Sequence, residues 1–180
     1  MDVQEILTYV IGSLLLLVPV TSDPKPPLQE VVVEAEKRVI LNERDVACLS
    51  KNIYFEARGE GTEGQVAVAH VTLNRVEHKK FPNTVCEVVH QAKVWDGHPV
   101  RYKCQFSWYC DGKHDTPYPG PTWKSTQELA TWFYDNKDTI KDITDGALYY
   151  HADYIPDPRW AVSEKTQKTV QIDTHIFYAR

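Results

Sequence analysis

The stretch Asn52-Ile-Tyr-Phe-Glu-Ala-Arg-Gly-Glu60, followed at once by the apolar run from Gln65 to Val76, constrains this chain more than any other part of it. Val46, Leu49, Ile53 and Ala57 recur at helical spacing and make one buried stripe. Asn42 or Asp45 can cap the start of that helix by accepting from its free N–H groups. Glu56 falls between Ile53 and Ala57 in angle, at the edge of the stripe and not opposite it. A glutamate partly withdrawn from water has a raised pKa and keeps its proton near neutrality, the state a general acid needs. The alternatives are a solvated surface glutamate or an ion pair with Arg58 or Arg75. Gly59, Gly61 and Gly64 end the helix. Glu60 therefore turns away from Glu56, to orient backbone, to line a cleft, or to pair with a basic side chain in the turn.

Thr62-x-x-Gln65 has capping-box spacing for a second helix. Val66, Ala69, Leu73 and Val76 form its periodic face, and Ala67 and Val68 make a second face apolar. Small residues on several faces predict a central helix with close neighbours. Asn74 and Arg75, at its far end, either hold the acid-bearing helix or serve the turn toward His78.

Upstream, residues 6–20 are mostly apolar, too short for an ordinary membrane span and without the basic residues or cleavage site of a standard export signal. They read as an uncleaved membrane-tethering or export helix, an atypical cleaved signal, or a helix docking to a partner protein. Thr21 to Leu28, TSDPKPPL, is a stiff proline linker. Gln29 to Leu41 has no clear pattern. The expected organisation is residues 1–20 as a hydrophobic segment, 21–41 as a linker and 42–180 as a catalytic domain.

Downstream, Phe81-Pro-Asn-Thr-Val85 reads as a turn into a short helix through Val85, Val88 and Val89. Lys93 to Pro121 is rich in glycine, proline and aromatics, including Trp95, Tyr102, Phe106, Trp108, Tyr109 and Tyr118. A loop that long binds something or is tied down. Within it, Gln105-Phe-Ser-Trp108 most resembles a site wall, since amide and hydroxyl groups can bond sugar hydroxyls while a ring covers a pyranose face. A satellite core under a surface loop is the alternative. Trp123 to Tyr134 is a helix candidate. Ala147 to Ala152 and the alternating Val170 to Tyr178 read as two paired strands. Helices first and strands late predict an α+β domain.

With 20 basic and 25 acidic residues and no basic block, a nucleic-acid partner is not expected. Cys104 and Cys110 can close a short loop by disulfide in an oxidising compartment, or all four cysteines stay as buried thiols. No histidine spacing requires a metal. A site drawn from His114, His151, His175 and Asp153 is conceivable only in space, and no cofactor is expected.

Asn52-Ile-Tyr-Phe-Glu-Ala-Arg-Gly-Glu60, Gly64-Gln-Val-Ala-Val-Ala69, Leu73-Asn-Arg-Val76, Phe81-Pro-Asn-Thr-Val85, Gln105-Phe-Ser107 and His175-Ile-Phe-Tyr178 together resemble the cell wall hydrolase family of the spore cortex-lytic enzymes. Ala147-Leu-Tyr-Tyr-His-Ala152 with Trp160-Ala161 resembles its Gram-negative and phage branch. The resemblance implies a lysozyme-like, mainly helical α+β domain with a small antiparallel sheet. Its implied activity is peptidoglycan cleavage between N-acetylmuramic acid and N-acetylglucosamine, as a lytic transglycosylase or a hydrolytic muramidase. A silent glycan-binding envelope protein is the rival from another class. The family's catalytic glutamate maps onto Glu56. Substrate contacts are expected at Glu60, Gln105, Phe106, Ser107, Trp108, Tyr150 and His151. Most members carry glycine where this chain has Phe55, so the ring narrows the cleft or packs beneath it. Peptidoglycan is the expected partner, with inner-membrane association through residues 6–20. The expected location is the envelope or periplasm, membrane-tethered, in an endolysin or a bacterial envelope enzyme.

Overall fold

A computed structural model describes residues 28–180. Four α-helices come first: α1 (Leu28–Ala57), α2 (Thr62–Glu77), α3 (Val85–Val89) and, after a β-hairpin, α4 (Pro121–Asn136). The hairpin pairs β1 (Ala92–Trp95) with β2 (His98–Cys104) and leads into a 3-10 helix, Ser107–Cys110. The chain ends in a three-stranded antiparallel sheet of β3 (Tyr149–Ala152), β4 (Gln167–Ile172) and β5 (His175–Ala179), with β5 in the middle. This is the expected α+β, lysozyme-like class.

One apolar cluster joins Leu49 and Ile53 of α1, Val85, Val88 and Val89 of α3, Ala130 and Phe133 of α4, and Phe106 and Trp108. A second packs Ala67 and Val71 of α2 on Ala147, Ile172 and Phe177 of the sheet. Ala69 of α2 faces the first cluster, so α2 lies between the two, as its several apolar faces predicted. Each fully buried leucine or isoleucine contributes roughly 1.5–3 kcal/mol. Two disulfides add covalent closure: Cys104–Cys110, and Cys48–Cys86, which ties α1 to α3.

Several local expectations change. α1 starts at Leu28 and runs without a break through Asn42 and Asp45. Asp45 caps a different helix, accepting from the Cys86 N–H at the start of α3 at 3.3 Å. The Thr62–Gln65 capping box does not form. Gly61 occupies the N-cap of α2, and Gln65 bonds the Glu60 carbonyl. The strand read over Val170 to Tyr178 is a hairpin, because Asp173 adopts a left-handed φ of 49° and turns the chain. α2 starts hard against that turn: a Cβ on Gly64 would lie 2.5 Å from the Asp173 carboxylate, so only glycine fits.

The expected inner-membrane association, and with it a membrane-tethered envelope location, is corrected. Among the described residues no helix is long and apolar enough to cross a membrane. α1 has the length, yet Glu43, Arg44, Asp45, Lys51 and Glu56 deny it the required apolar run. Residues 6–20, on which that expectation rested, lie outside the described residues.

Candidate active site

The last turn of α1 presents Tyr54, Phe55 and Glu56 to a cleft of about 1040 Å³, while Asn52 and Ile53 before them are buried. Its floor holds Glu56, Arg75 and Tyr150; Gln105, Ser107, Trp108 and the segment Asp111 to Pro119 line one side, and His151, Ala152, Tyr154, Ile155 and His175 another. Tyr118 and Tyr154 are 84% and 78% exposed, leaving two aromatic rings open to solvent at the cleft.

Glu56 owes its position to elements far apart in sequence. The Tyr150 hydroxyl donates to Oε2 of Glu56 at 2.8 Å. β3, which carries Tyr150, is fixed by consecutive residues of α2. Asn74 donates to the Asp142 carboxylate at 2.9 Å and to the Ala147 carbonyl at 3.1 Å, while Arg75 Nε donates to the Leu148 carbonyl at 2.8 Å. The Arg75 guanidinium is buried 4.7 Å from the centre of the Phe106 ring. Desolvation raises the Glu56 pKa above its ordinary value, and it prevails over the Tyr150 hydrogen bond and the charge of Arg75, which both act to lower it.

A buried polar chain holds the wall opposite. Trp108 Nε1 donates to Asn52 Oδ1 at 3.0 Å, Asn52 Nδ2 donates to Thr72 Oγ1 at 3.1 Å, and Thr72 bonds back to the Val68 carbonyl. Phe55 stacks on Trp108 with ring centres 4.8 Å apart. The phenylalanine thus both packs against the wall and lines the cleft. The Cys104–Cys110 disulfide closes the short loop that bears Gln105, Ser107 and Trp108.

Of the expected site residues, Glu56, Gln105, Ser107, Trp108, Tyr150 and His151 converge on the cleft. Phe106 lies beneath it, buried against Arg75. Glu60 points elsewhere. It accepts from the Thr174 N–H at 3.1 Å and the Thr174 hydroxyl at 2.8 Å, fastening the α1–α2 turn to the β4–β5 turn. Its burial acts to raise its pKa, but the two Thr174 bonds and the field of His175 outweigh that and lower it. Glu60→Ala is expected to cost about 1 kcal/mol in a urea titration at neutral pH. That contribution is complete above the ordinary glutamate pKa and fades as pH falls through the lowered folded value. A raised KM with stability untouched would instead make Glu60 a substrate contact.

His175 and Asp115 join the cleft without having been singled out for it. The His175 ring packs edge-on to Tyr150 at 5.0 Å, and its Nδ1 is buried with no partner among the described residues. Burial lowers the His175 pKa despite nearby Glu60, Asp173 and Asp153. Burial also raises the pKa of Asp115, helped by Asp111. The sequence marks His175 as a strand position and as one member of a conceivable metal set, not as a cleft residue, and nothing in the loop's composition sets Asp115 apart. Among the described residues no three His, Cys, Asp or Glu side chains are grouped as metal ligands.

Residues 59–178 match the family model described as Cell Wall Hydrolase, a match that begins three residues after Glu56. The crystal structure of the catalytic domain of the Bacillus cereus SleB protein superposes with a TM-score of 0.54 at 31% identity, covering 76% of this chain and 91% of that one. The catalytic domain of a germination-specific lytic transglycosylase, SleB from Bacillus anthracis, gives 0.53 at 32% identity, over 75% and 93%. The spore cortex-lytic enzyme of Bacillus subtilis (strain 168) is 51% identical over 45 residues, 25% of this chain and 15% of that protein. The matched stretch therefore spans only a small part of that curated relative's length.

Proposed function

The chain belongs to the cell wall hydrolase family and is a glycosidase-type enzyme, and from that premise we propose that it cleaves peptidoglycan glycan strands between N-acetylmuramic acid and N-acetylglucosamine as a lytic transglycosylase. One observation carries this reading: a glutamate with a burial-raised pKa stands at the floor of an aromatic-flanked cleft, fixed by a tyrosine hydroxyl. Tyr150 occupies Oε2, which leaves Oε1 of Glu56 to carry the proton. Glu56 donates that proton to the glycosidic oxygen as C1 of the muramic residue gains oxocarbenium character. The resulting carboxylate then takes the proton of the C6 hydroxyl, whose oxygen bonds to C1 and closes a 1,6-anhydro ring. Proton count and charge return to their starting values, and no second carboxylate is needed to activate water. Arg75 supports the anionic intermediate state of Glu56 from below.

The test is digestion of purified sacculi, with fragments resolved by mass. Anhydromuramic ends are the expected product. Reducing muramic ends would make the enzyme a hydrolytic muramidase using the same acid, and new amino termini would overturn glycan cleavage altogether. Tyr150→Phe provides a second check. It removes a bond that lowers the Glu56 pKa, so the alkaline limb of kcat/KM is expected to move to higher pH. Loss of one charge-assisted hydrogen bond, about 1.5 kcal/mol, is expected to slow turnover about ten-fold at the optimum. A limb that stays put would detach Tyr150 from the titration of Glu56.

A further inference from the structure

We propose that the β1–β2 hairpin is a second binding element for the same polymer, taking the carboxylate-bearing peptide stems of peptidoglycan outside the cleft; this rests on the function proposed above. The hairpin has almost no role in the core. Val94, Trp95 and Tyr102 are 57%, 77% and 65% exposed, and Lys93, Arg101 and Lys103 are exposed beside them. Two-stranded hairpins solvated on both faces are marginal by themselves. Among the described residues it is tied down at its base by Cys104–Cys110 and the Gln105 N–H to the Gln91 carbonyl at 2.9 Å, and within β2 by Arg101, whose Nε and Nη2 both donate to the Asp111 carbonyl. An Asp96-Gly97 turn with φ of 49° and 75° folds the tip tightly and leaves Trp95 beside it.

Charge selects the partner. On a chain of net charge −5, the hairpin carries Lys93, Arg101 and Lys103 against Asp96 alone. Among the described residues neither Lys93 nor Lys103 has a carboxylate within ion-pair distance. Between the pairs Ala92–Cys104 and Val94–Pro99 the register shifts, and Tyr102 takes a left-handed φ of 59° in the bulged strand. A bulge of this kind re-aims side chains instead of extending the ladder. Exposed basic groups meet carboxylates weakly one at a time and are screened by salt. The exposed Trp95 ring adds an apolar contact for the hydrocarbon parts of the stem, and salt does not screen it. Continuity with the site completes the reading, because β2 passes through Cys104 directly into the wall residues Gln105 and Ser107. A long strand held in the cleft can engage the hairpin too, and a short fragment cannot.

The test compares the full chain with a Lys93→Ala, Trp95→Ala, Lys103→Ala variant, which leaves Arg101 in place. Co-sedimentation with sacculi is measured in a Glu56→Gln background, so that the polymer survives the assay. Tethering through two contacts predicts that the triple variant loses about ten-fold or more of its retention, and that added salt weakens the parent more than the variant. Turnover on a short soluble glycan is expected to be unchanged. Equal retention of both proteins, or retention of neither, overturns the inference. Hairpin-dependent capture by phosphatidylglycerol vesicles without capture by sacculi also overturns it. Should the wild type release no fragments from sacculi while the triple variant still fails to sediment, the proposed activity falls and the hairpin site stands.

Discussion

Replacing Glu56 with glutamine is expected to cut turnover on sacculi by about 10²–10⁴-fold or more while raising thermal stability at neutral pH. The two effects have one cause. Glutamine fills the same space and can still accept from the Tyr150 hydroxyl, but it has no proton to give the glycosidic oxygen. Burial raises the Glu56 pKa above its ordinary value of 4.5, so the folded chain holds this proton more tightly than the unfolded chain does. The stability this provides is complete below the unfolded pKa and is lost as pH rises through the folded one. Glutamine suffers no such loss. The Tm difference between variant and wild type is therefore expected to open as pH increases from the ordinary glutamate range through the raised value. The measurement is a pair of thermal melts across that range, beside a muropeptide-release assay. Full activity in the variant would remove Glu56 from the chemistry. A Tm difference that does not change with pH would mean that the carboxylate is not held in a desolvated setting.

How far the residues spoke for themselves depended on how local the controlling interaction was. The stripe Val46, Leu49, Ile53 and Ala57 placed Glu56 at the edge of a buried face, and both Leu49 and Ile53 are fully buried. α2 was legible for the same reason, since its two apolar faces are written in consecutive turns. The β1–β2 hairpin was missed although Asp96-Gly97 is the strongest short hairpin signal a sequence offers. Its flanks do not alternate cleanly, because neither face is buried. The β4–β5 turn hid for the opposite reason. Alternation continued straight through Asp173 and Thr174, and nothing local shows that Asp173 accepts from Gly61 and Thr174 donates to Glu60. Among the readings open for Glu60, from orienting backbone to contacting substrate, the one its bonds to Thr174 realise therefore could not be picked out. Tyr150 and Arg75 meet Glu56 only through long-range packing, which spacing cannot encode. The family resemblance drew Tyr150 to the site, while the hydrogen bond that defines its part emerged only from the fold.

Breaking Cys48–Cys86 is expected to be the most damaging change to stability that leaves the cleft residues untouched. Four cysteines permit three pairings, and the 38-residue Cys48–Cys86 spacing shows no sign of a bond except by leaving Cys104 and Cys110 to each other. The bond closes 38 residues of chain between α1 and α3, against 6 for Cys104–Cys110. Chain entropy alone then assigns about 4 kcal/mol to the longer loop and about 2 kcal/mol to the shorter. The longer bond also holds the α3 start where Asp45 caps it, and α3 supplies Val85, Val88 and Val89 to the main cluster. A Cys48→Ala, Cys86→Ala protein should accordingly unfold at much lower urea than the wild type. A Cys104→Ala, Cys110→Ala protein should lose less stability and show its defect as a raised KM, because Gln105, Ser107 and Trp108 sit within the loop that bond closes. Urea titrations paired with steady-state kinetics separate the two. Equal stability losses would mean that strain or residual structure, not loop length, sets the value of each bond. An unchanged KM in the second variant would mean that Asn52 holds Trp108 in place without help from the disulfide.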